Sequence, residues 1–167
     1  MMGTQILNSK QITQKLNRIA YQIYEQNLAE KEVILAGIEG NGQKMAKKIS
    51  EILKKISPLI IHLGKISINK SNPIGTHPVI DIPAKEYLNQ SIILIDDVMN
   101  TGRTMAYALK IFLDVPVKKI STAVLVDRSH TLYPIKIDFV GLSLSTTLQE
   151  HIDADFSVKG QEKVLLS

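Results

Sequence analysis

Ser91-Ile92-Ile93-Leu94-Ile95-Asp96-Asp97-Val98-Met99-Asn100-Thr101-Gly102-Arg103-Thr104 is the stretch on which the fold turns. Ser91 to Ile95 reads as a strand whose last four residues are an unbroken apolar run, the pattern of a strand buried on both faces. Two adjacent carboxylates, Asp96 and Asp97, follow, and the strand is expected to end at them. Thr101-Gly102-Arg103-Thr104 then opens a helix predicted from about Arg103 to Leu113. Strand, turn and helix in that order form the repeating unit of a parallel α/β sheet.

The same alternation extends in both directions. Upstream, Ile12, Leu16, Ile19 and Ile23 form one stripe of an amphipathic helix, capped by Asn8 or Ser9 and ending near Leu28. Val33 to Ile38 reads as a second buried strand. Glu39-Gly40-Asn41-Gly42 breaks the chain, and Met45, Ile49, Ile52, Leu53 and Ile56 restart the helical period. Leu59 to Ile68 has strand character, whereas Ser71 to Pro78, with two prolines and a glycine, reads as a loop. Downstream, Ile120 to Val126 and Ile137 to Leu142 read as strands, and the tail from Thr146 onward lacks a clear pattern. The fold class is therefore α/β, a mostly parallel central sheet with helices on both faces. It is read as one domain spanning residues 1–167, and ligands in such sheets bind beyond the carboxyl ends of the strands.

Composition narrows the chemistry. The 167 residues contain no cysteine, which removes disulfides, thiolate metal sites and cysteine nucleophiles together. Any nucleophile or metal ligand must be an oxygen or a histidine nitrogen. The 20 basic residues exceed the 16 acidic ones by four, a mild positive balance suited to an anionic small molecule or to RNA. No run approaches the roughly 18 apolar residues of a membrane span, and Met1 to Lys10 lacks a signal-peptide layout. No membrane partner and a cytoplasmic location are the expectation. Histidines 62, 77, 130 and 151 show no metal-ligand spacing, and His62 is read as a structural histidine on a strand.

Two glycine-bearing turns compete as binding sites. In the first, Gly37 and Gly42 have the spacing of a P-loop, but Gln43-Lys44 misplaces both the lysine and the hydroxyl that such a loop needs. A dinucleotide fingerprint fails because Met45 stands where a third small residue is required. The second turn carries more. Carboxylates at the end of an apolar strand are costly unless solvent, a cation or ligand hydroxyls engage them. Thr101 and Thr104 add hydroxyls, Gly102 lets the backbone approach, and the helix N-terminus adds N–H groups. Carboxylates beside a phosphate nest describe a ribose-phosphate site.

Ile93 to Thr104 resembles the phosphoribosyl-diphosphate motif of the type I phosphoribosyltransferases. Ile6 to Asn27, Val33 to Lys48, Ile92 to Leu113 and Ala123 to His130 with Pro134-Ile135 are similar to the pyrimidine-operon attenuator/uracil phosphoribosyltransferase subfamily. The resemblance implies that Asp96 and Asp97 bind ribose hydroxyls, directly or through Mg2+, as the catalytic and metal-holding pair. It implies that Asn100, Thr101, Gly102, Arg103 and Thr104 hold the 5′-phosphate, and that Glu39, Gly40, Asn41 and Gly42 face the pyrophosphate. A flexible loop of about residues 65–83, carrying Lys65 and Lys70, would close the site. A small hood of about residues 143–167 would hold the base.

Three departures stand out. Glu39 and Asn41 occupy a turn that usually carries a basic residue. The loop offers two lysines and no arginine. Asn100 stands where purine enzymes often have an aspartate, which disfavours a purine. The implied reaction is transfer of a phosphoribosyl group from phosphoribosyl diphosphate to a nucleobase, uracil first. The alternatives are a nucleotide-sensing, RNA-binding regulator of pyrimidine genes and a purine phosphoribosyltransferase. Arg128 and His130 are the candidate RNA or base contacts. A homodimer or higher homo-oligomer is implied.

Overall fold

A computed structural model describes residues 3–167. Its elements run β1 (Thr4–Leu7), α1 (Ser9–Gln26), β2 (Glu32–Ile38), α2 (Asn41–Ile56), β3 (Ile60–Ser67), β4 (Val79–Ile80), α3 (Ala84–Tyr87), β5 (Ser91–Met99), α4 (Arg103–Leu113), β6 (Lys119–Asp127), β7 (Phe139–Ser143), β8 (Ile152–Asp155) and β9 (Lys163–Leu166). Helix α1 starts as its sequence dictates. Asn8 Oδ1 accepts from the Gln11 N–H at 2.9 Å while the Asn8 N–H donates to Gln11 Oε1 at 2.9 Å, a reciprocal cap.

The central sheet has the order β4-β3-β2-β5-β6-β7. All its neighbours are parallel except the short edge strand β4, which runs antiparallel to β3. The apolar strands β2 and β5 lie in the middle, buried on both faces. Val33, Leu35, Ile93 and Ile95 point into a core shared with α1 and α2. Ile34, Ala36, Ile92 and Leu94 point into the opposite core, with Met105, Ala108 and Phe112 of α4. Helices thus cover both faces, as the alternation predicts. No helix of the described residues is long and apolar enough to cross a membrane.

Two local expectations change. Strand β5 does not end at the carboxylates but runs on to Met99. Its pairing with β2 stops at Ile95, whereas its pairing with β6 continues through Met99 opposite Asp127. Asp96 and Asp97 therefore lie on a one-sided extension of the strand, where the sheet opens into a crevice. The tail after Thr146 is also structured. Strands β8 and β9 join β1 in a three-stranded antiparallel sheet, order β1-β9-β8, so the hood draws one strand from the opposite end of the chain.

The hood is tied down by one buried acid. Glu162, 4% exposed, accepts from Lys48 Nζ of α2 at 2.5 Å and from Ser9 Oγ of α1 at 2.6 Å. On the far side of the sheet from the crevice, His62 Nε2 lies 2.7 Å from Glu32 Oε2. That is the structural role expected of this histidine.

Candidate active site

A cavity of about 460 Å3 opens at the carboxyl end of β5. Its wall combines Asp96 to Met99 of β5, the turn Asn100 to Gly102 and the first residues of α4. Asn41 from the start of α2, Lys70 from the loop after β3, and Ile152 to Ala154 of β8 complete it. The carboxylate pair and the Thr-Gly-Arg-Thr turn, read separately from the sequence, thus share one space.

Asp96 is buried, and its carboxyl is pushed up to about 7, first by burial and then by the neighbouring Asp97 charge. Lys70 Nζ, 3.4 Å from Asp96 Oδ1, works against that rise. A buried acid that draws an ammonium group from a loop is a place where positive charge or hydroxyl donors are favoured. Asp97 is held differently. Asn41 Nδ2 donates to Asp97 Oδ2 at 3.0 Å and to the Ala154 carbonyl at 2.7 Å. One amide therefore links the start of α2, the carboxylate pair and the hood.

That link gives Asn41 a role the sequence did not suggest. Both of its side-chain donors are committed inside the protein, leaving a ligand the backbone N–H groups at the α2 N-terminus. The acidic Glu39 of this turn lies 3.6 Å from Lys65 Nζ. Of the two lysines expected on the flexible loop, only Lys70 is there: Lys65 lies within β3, paired with Gly37 of β2, and reaches the Glu39 carboxylate, whereas Lys70 reaches the Asp96 carboxylate. Lys65, Glu39 and Gly40 do not line the cavity itself.

The turn Asn100 to Gly102 owes its shape to Gly102, which has a φ of 84°. A side chain there would be strained by the backbone and would meet the Met99 methyl at 2.9 Å. The turn is braced from behind by the Leu132 and Tyr133 N–H groups, which donate to the Thr101 carbonyl at 2.9 and 3.0 Å. Residues Asn100 to Met105 line the cavity, so the start of α4 opens onto it, with the Arg103 N–H donating to Thr101 Oγ1 at 3.3 Å. Arg103 Nε is buried without a partner among the described residues, a donor that a ligand oxygen would satisfy.

Gly42 is fixed by contact instead. A Cβ at this position would lie 2.8 Å from the Ile95 carbonyl and 3.1 Å from both Asp96 Cα and Oδ1. Gly42→Ala is expected to destabilise the fold by about 1–3 kcal/mol, the usual cost of overpacking, because the nearest atoms are backbone and cannot rotate away. Urea unfolding measures this. A midpoint shift worth less than about 0.5 kcal/mol, the range of an innocuous substitution, would show that β5 and α2 are not in tight contact here.

Arg128 and His130 require a correction. Arg128 is 7% exposed, and its guanidinium faces inward. Its donors go to Asn100 Oδ1 (2.6 Å), Thr146 Oγ1 (3.0 Å), the Thr147 carbonyl (3.2 Å) and the Glu150 carbonyl. A side chain so engaged does not offer a cation to RNA. His130 Nε2 is likewise turned to the Thr146 carbonyl at 2.6 Å. Sequence reading missed β8, whose Ile152, Asp153 and Ala154 enter the cavity. The apolar-polar alternation of Ile152-Asp153-Ala154-Asp155-Phe156 was the available signal.

The chain matches the phosphoribosyl transferase domain family over residues 2–159. It is 33% identical to the Bifunctional protein PyrR of Pediococcus pentosaceus, over 99% of this chain and 98% of that one. It is 35% identical to the Bifunctional protein PyrR of Leuconostoc mesenteroides, over 91% and 90%. Among solved structures it is similar to a hypoxanthine-guanine phosphoribosyltransferase from Bacillus anthracis (TM-score 0.79, 13% identity, 100% and 99% covered). It is also similar to the hypoxanthine phosphoribosyltransferase of Trypanosoma cruzi (TM-score 0.80, 11% identity, 99% and 96% covered). Those two likenesses concern the fold alone. With a family match across nearly its whole length and PyrR relatives at a third identity, the chain belongs to the type I phosphoribosyltransferases, in their PyrR-like branch.

Proposed function

We propose that this protein transfers the phosphoribosyl group of phosphoribosyl diphosphate to a nucleobase, uracil first, giving UMP and pyrophosphate. The observation that carries the reading is the single cavity shared by the Asp96–Asp97 pair and the Asn100–Thr104 nest. In the reaction a base nitrogen attacks ribose C1, the C1–O bond breaks, and pyrophosphate leaves with the electron pair. Positive charge develops on the sugar as that bond lengthens. Asp96 and Asp97 supply negative charge beside it and accept from the ribose hydroxyls. The turn Asn100 to Thr104 anchors the 5′-phosphate and fixes where C1 lies, so much of the rate comes from orientation. The α2 N-terminus receives the pyrophosphate on its N–H groups, with Lys65 offsetting Glu39.

The donor set fits Mg2+. Asp96 and Asp97 are adjacent hard oxygen ligands that share the cavity with the Asn100–Thr104 turn. That suits an ion held by one or two carboxylates together with substrate oxygens. Asp96 and Asp97 would hold it, and when bound it would neutralise phosphate charge.

Uracil is favoured over a purine by Asn100, whose amide cannot exchange a proton with a base. The PyrR relatives, at 30–35% identity, support the same choice better than the fold-level likeness to hypoxanthine enzymes. The test is turnover of labelled phosphoribosyl diphosphate with Mg2+ and uracil, hypoxanthine or guanine in turn. Uracil is expected to react fastest, and faster turnover of either purine would overturn the assignment. A second reading, an RNA-binding regulator, rests on the exposed Lys44, Lys47, Lys54 and Lys55 of α2 and on the word bifunctional in the relatives' name. Binding of nucleotide without turnover of any base would favour it. Either activity is proposed for a homo-oligomer.

A further inference from the structure

Arg128 stands at the end of β6, beside the phosphate turn on one side and the segment from Thr146 to Glu150 on the other. Four of its five N–H donors are used, all on neutral oxygens. No carboxylate pairs with it among the described residues. The carboxylate of Glu150 is engaged instead by the Thr147 N–H at 2.6 Å. A buried cation without a counter-charge is unfavourable unless every donor is satisfied. The carbonyls of Thr147 and Glu150 are therefore held where the guanidinium needs them.

The other end of the fork sets the phosphate turn. Arg128 Nη1 donates to Asn100 Oδ1 at 2.6 Å, which fixes the amide so that its Nδ2 is free to donate elsewhere. Asn100 lines the cavity. An anion bound there accepts from the Asn100 amide and also brings negative charge to an Arg128 that has no direct ion-pair partner and feels the Glu150 carboxylate only at longer range. Binding at the phosphate turn thereby strengthens the Arg128 network, and the network orders the segment next to β8.

We infer that Arg128 is a positioning residue that couples the 5′-phosphate turn, through Asn100, to the segment Thr146–Glu150 that leads into the cavity-lining strand β8, so that phosphoribosyl binding orders this wall of the site. This rests on the proposed function above, because it takes the turn Asn100–Thr104 as the phosphate site.

Ribose 5-phosphate is the probe, and amide hydrogen exchange followed by mass spectrometry is the readout. In the unaltered protein it is expected to slow exchange about five-fold or more in both Asn100–Thr104 and Thr147–Glu150, the lower end of ordinary coupling strengths. In Arg128→Lys the first segment remains protected and the second does not respond, because an ammonium cannot reach four oxygens in a planar fork. Should Arg128→Lys fail to fold, Asn100→Ala takes its place. Asn100 is exposed, its loss leaves Arg128 in position, and the response at Thr147–Glu150 is expected to disappear while some protection persists at Thr101–Thr104. The inference is overturned if the second segment does not respond in the unaltered protein, or responds equally in Asn100→Ala. If ribose 5-phosphate slows exchange at neither segment, the phosphate-site reading falls and the coupling falls with it, a result distinct from loss of coupling alone.

Discussion

Asp97→Asn is expected to lower kcat/KM for phosphoribosyl transfer by about 10²- to 10³-fold, the range found when one preorganised electrostatic group is removed from an active site. The substitution changes charge and almost nothing else. Asn and Asp are isosteric, and the new amide can turn its oxygen toward Asn41 Nδ2, preserving the 3.0 Å contact that now joins Asn41 to the carboxylate. The link through Asn41 to the Ala154 carbonyl is untouched, so the hood stays in place. What disappears is the negative charge beside the proposed ribose site, together with the smaller of the two main causes, after burial, that raise the Asp96 carboxyl toward 7. The urea midpoint is therefore expected to stay within about 0.5 kcal/mol of the parent, the range for a change that removes no packing. Steady-state kinetics with uracil and saturating Mg2+ provide the comparison. A loss of less than about three-fold would remove Asp97 from the reacting centre. A large loss of stability would mean that the carboxylate serves the fold.

The reasons this pair was legible in the sequence, and other parts were not, are physical. Ser91 to Ile95 and Val33 to Ile38 are apolar because they lie between two helical layers, and a strand buried on both faces has no freedom to be otherwise. Asp96 and Asp97 break that pattern at the edge of a crevice, so their cost is visible as an anomaly in the chain itself. Gly102 is visible for a similar reason, since its positive φ excludes most residues. By contrast, β1 and β9 are four residues long, and their partners lie at opposite ends of the chain, as in Thr4 opposite Leu166. No local periodicity can announce such a pairing. Arg128 reads from the sequence as a candidate RNA or base contact because its motif shows the charge but not the four oxygens around it. Two of those are backbone carbonyls, which any residue supplies. Lys65 as the partner of Glu39 was hidden because the sequence does not say which way a lysine near the end of β3 reaches.

Glu162→Ala is expected to destabilise the protein by about 3–5 kcal/mol, the usual cost of removing one partner from a buried, hydrogen-bonded ion pair. Three groups lose their acceptor at once: Lys48 Nζ, Ser9 Oγ and the Gly160 N–H, which lies 3.0 Å from Glu162 Oε2. These belong to α2, α1 and the approach to β9, so the hood sheet loses its attachment to the main body. Burial by itself pushes the Glu162 carboxyl up, but hydrogen bonds from Lys48 and Ser9 outweigh it and hold the group at about 2, against an ordinary 4.5. A carboxyl lowered on folding adds stability that is complete above its unfolded value. That contribution is lost as pH falls from about 4.5 toward about 2. Urea midpoints of the parent protein are thus expected to fall more steeply across this interval than those of Glu162→Gln, which keeps the shape without the titration. A companion variant separates charge from packing. Lys48→Met with Glu162→Leu removes both charges and fills the same space, and it is expected to recover much of the loss, because well-packed apolar residues often replace a buried pair at little cost. If Glu162→Ala unfolds at the same urea concentration as the parent, the hood does not depend on this acid. Its placement over the cavity would then rest on the Asn41–Ala154 contact and the packing of Ile152, Phe156 and Val164 in the core.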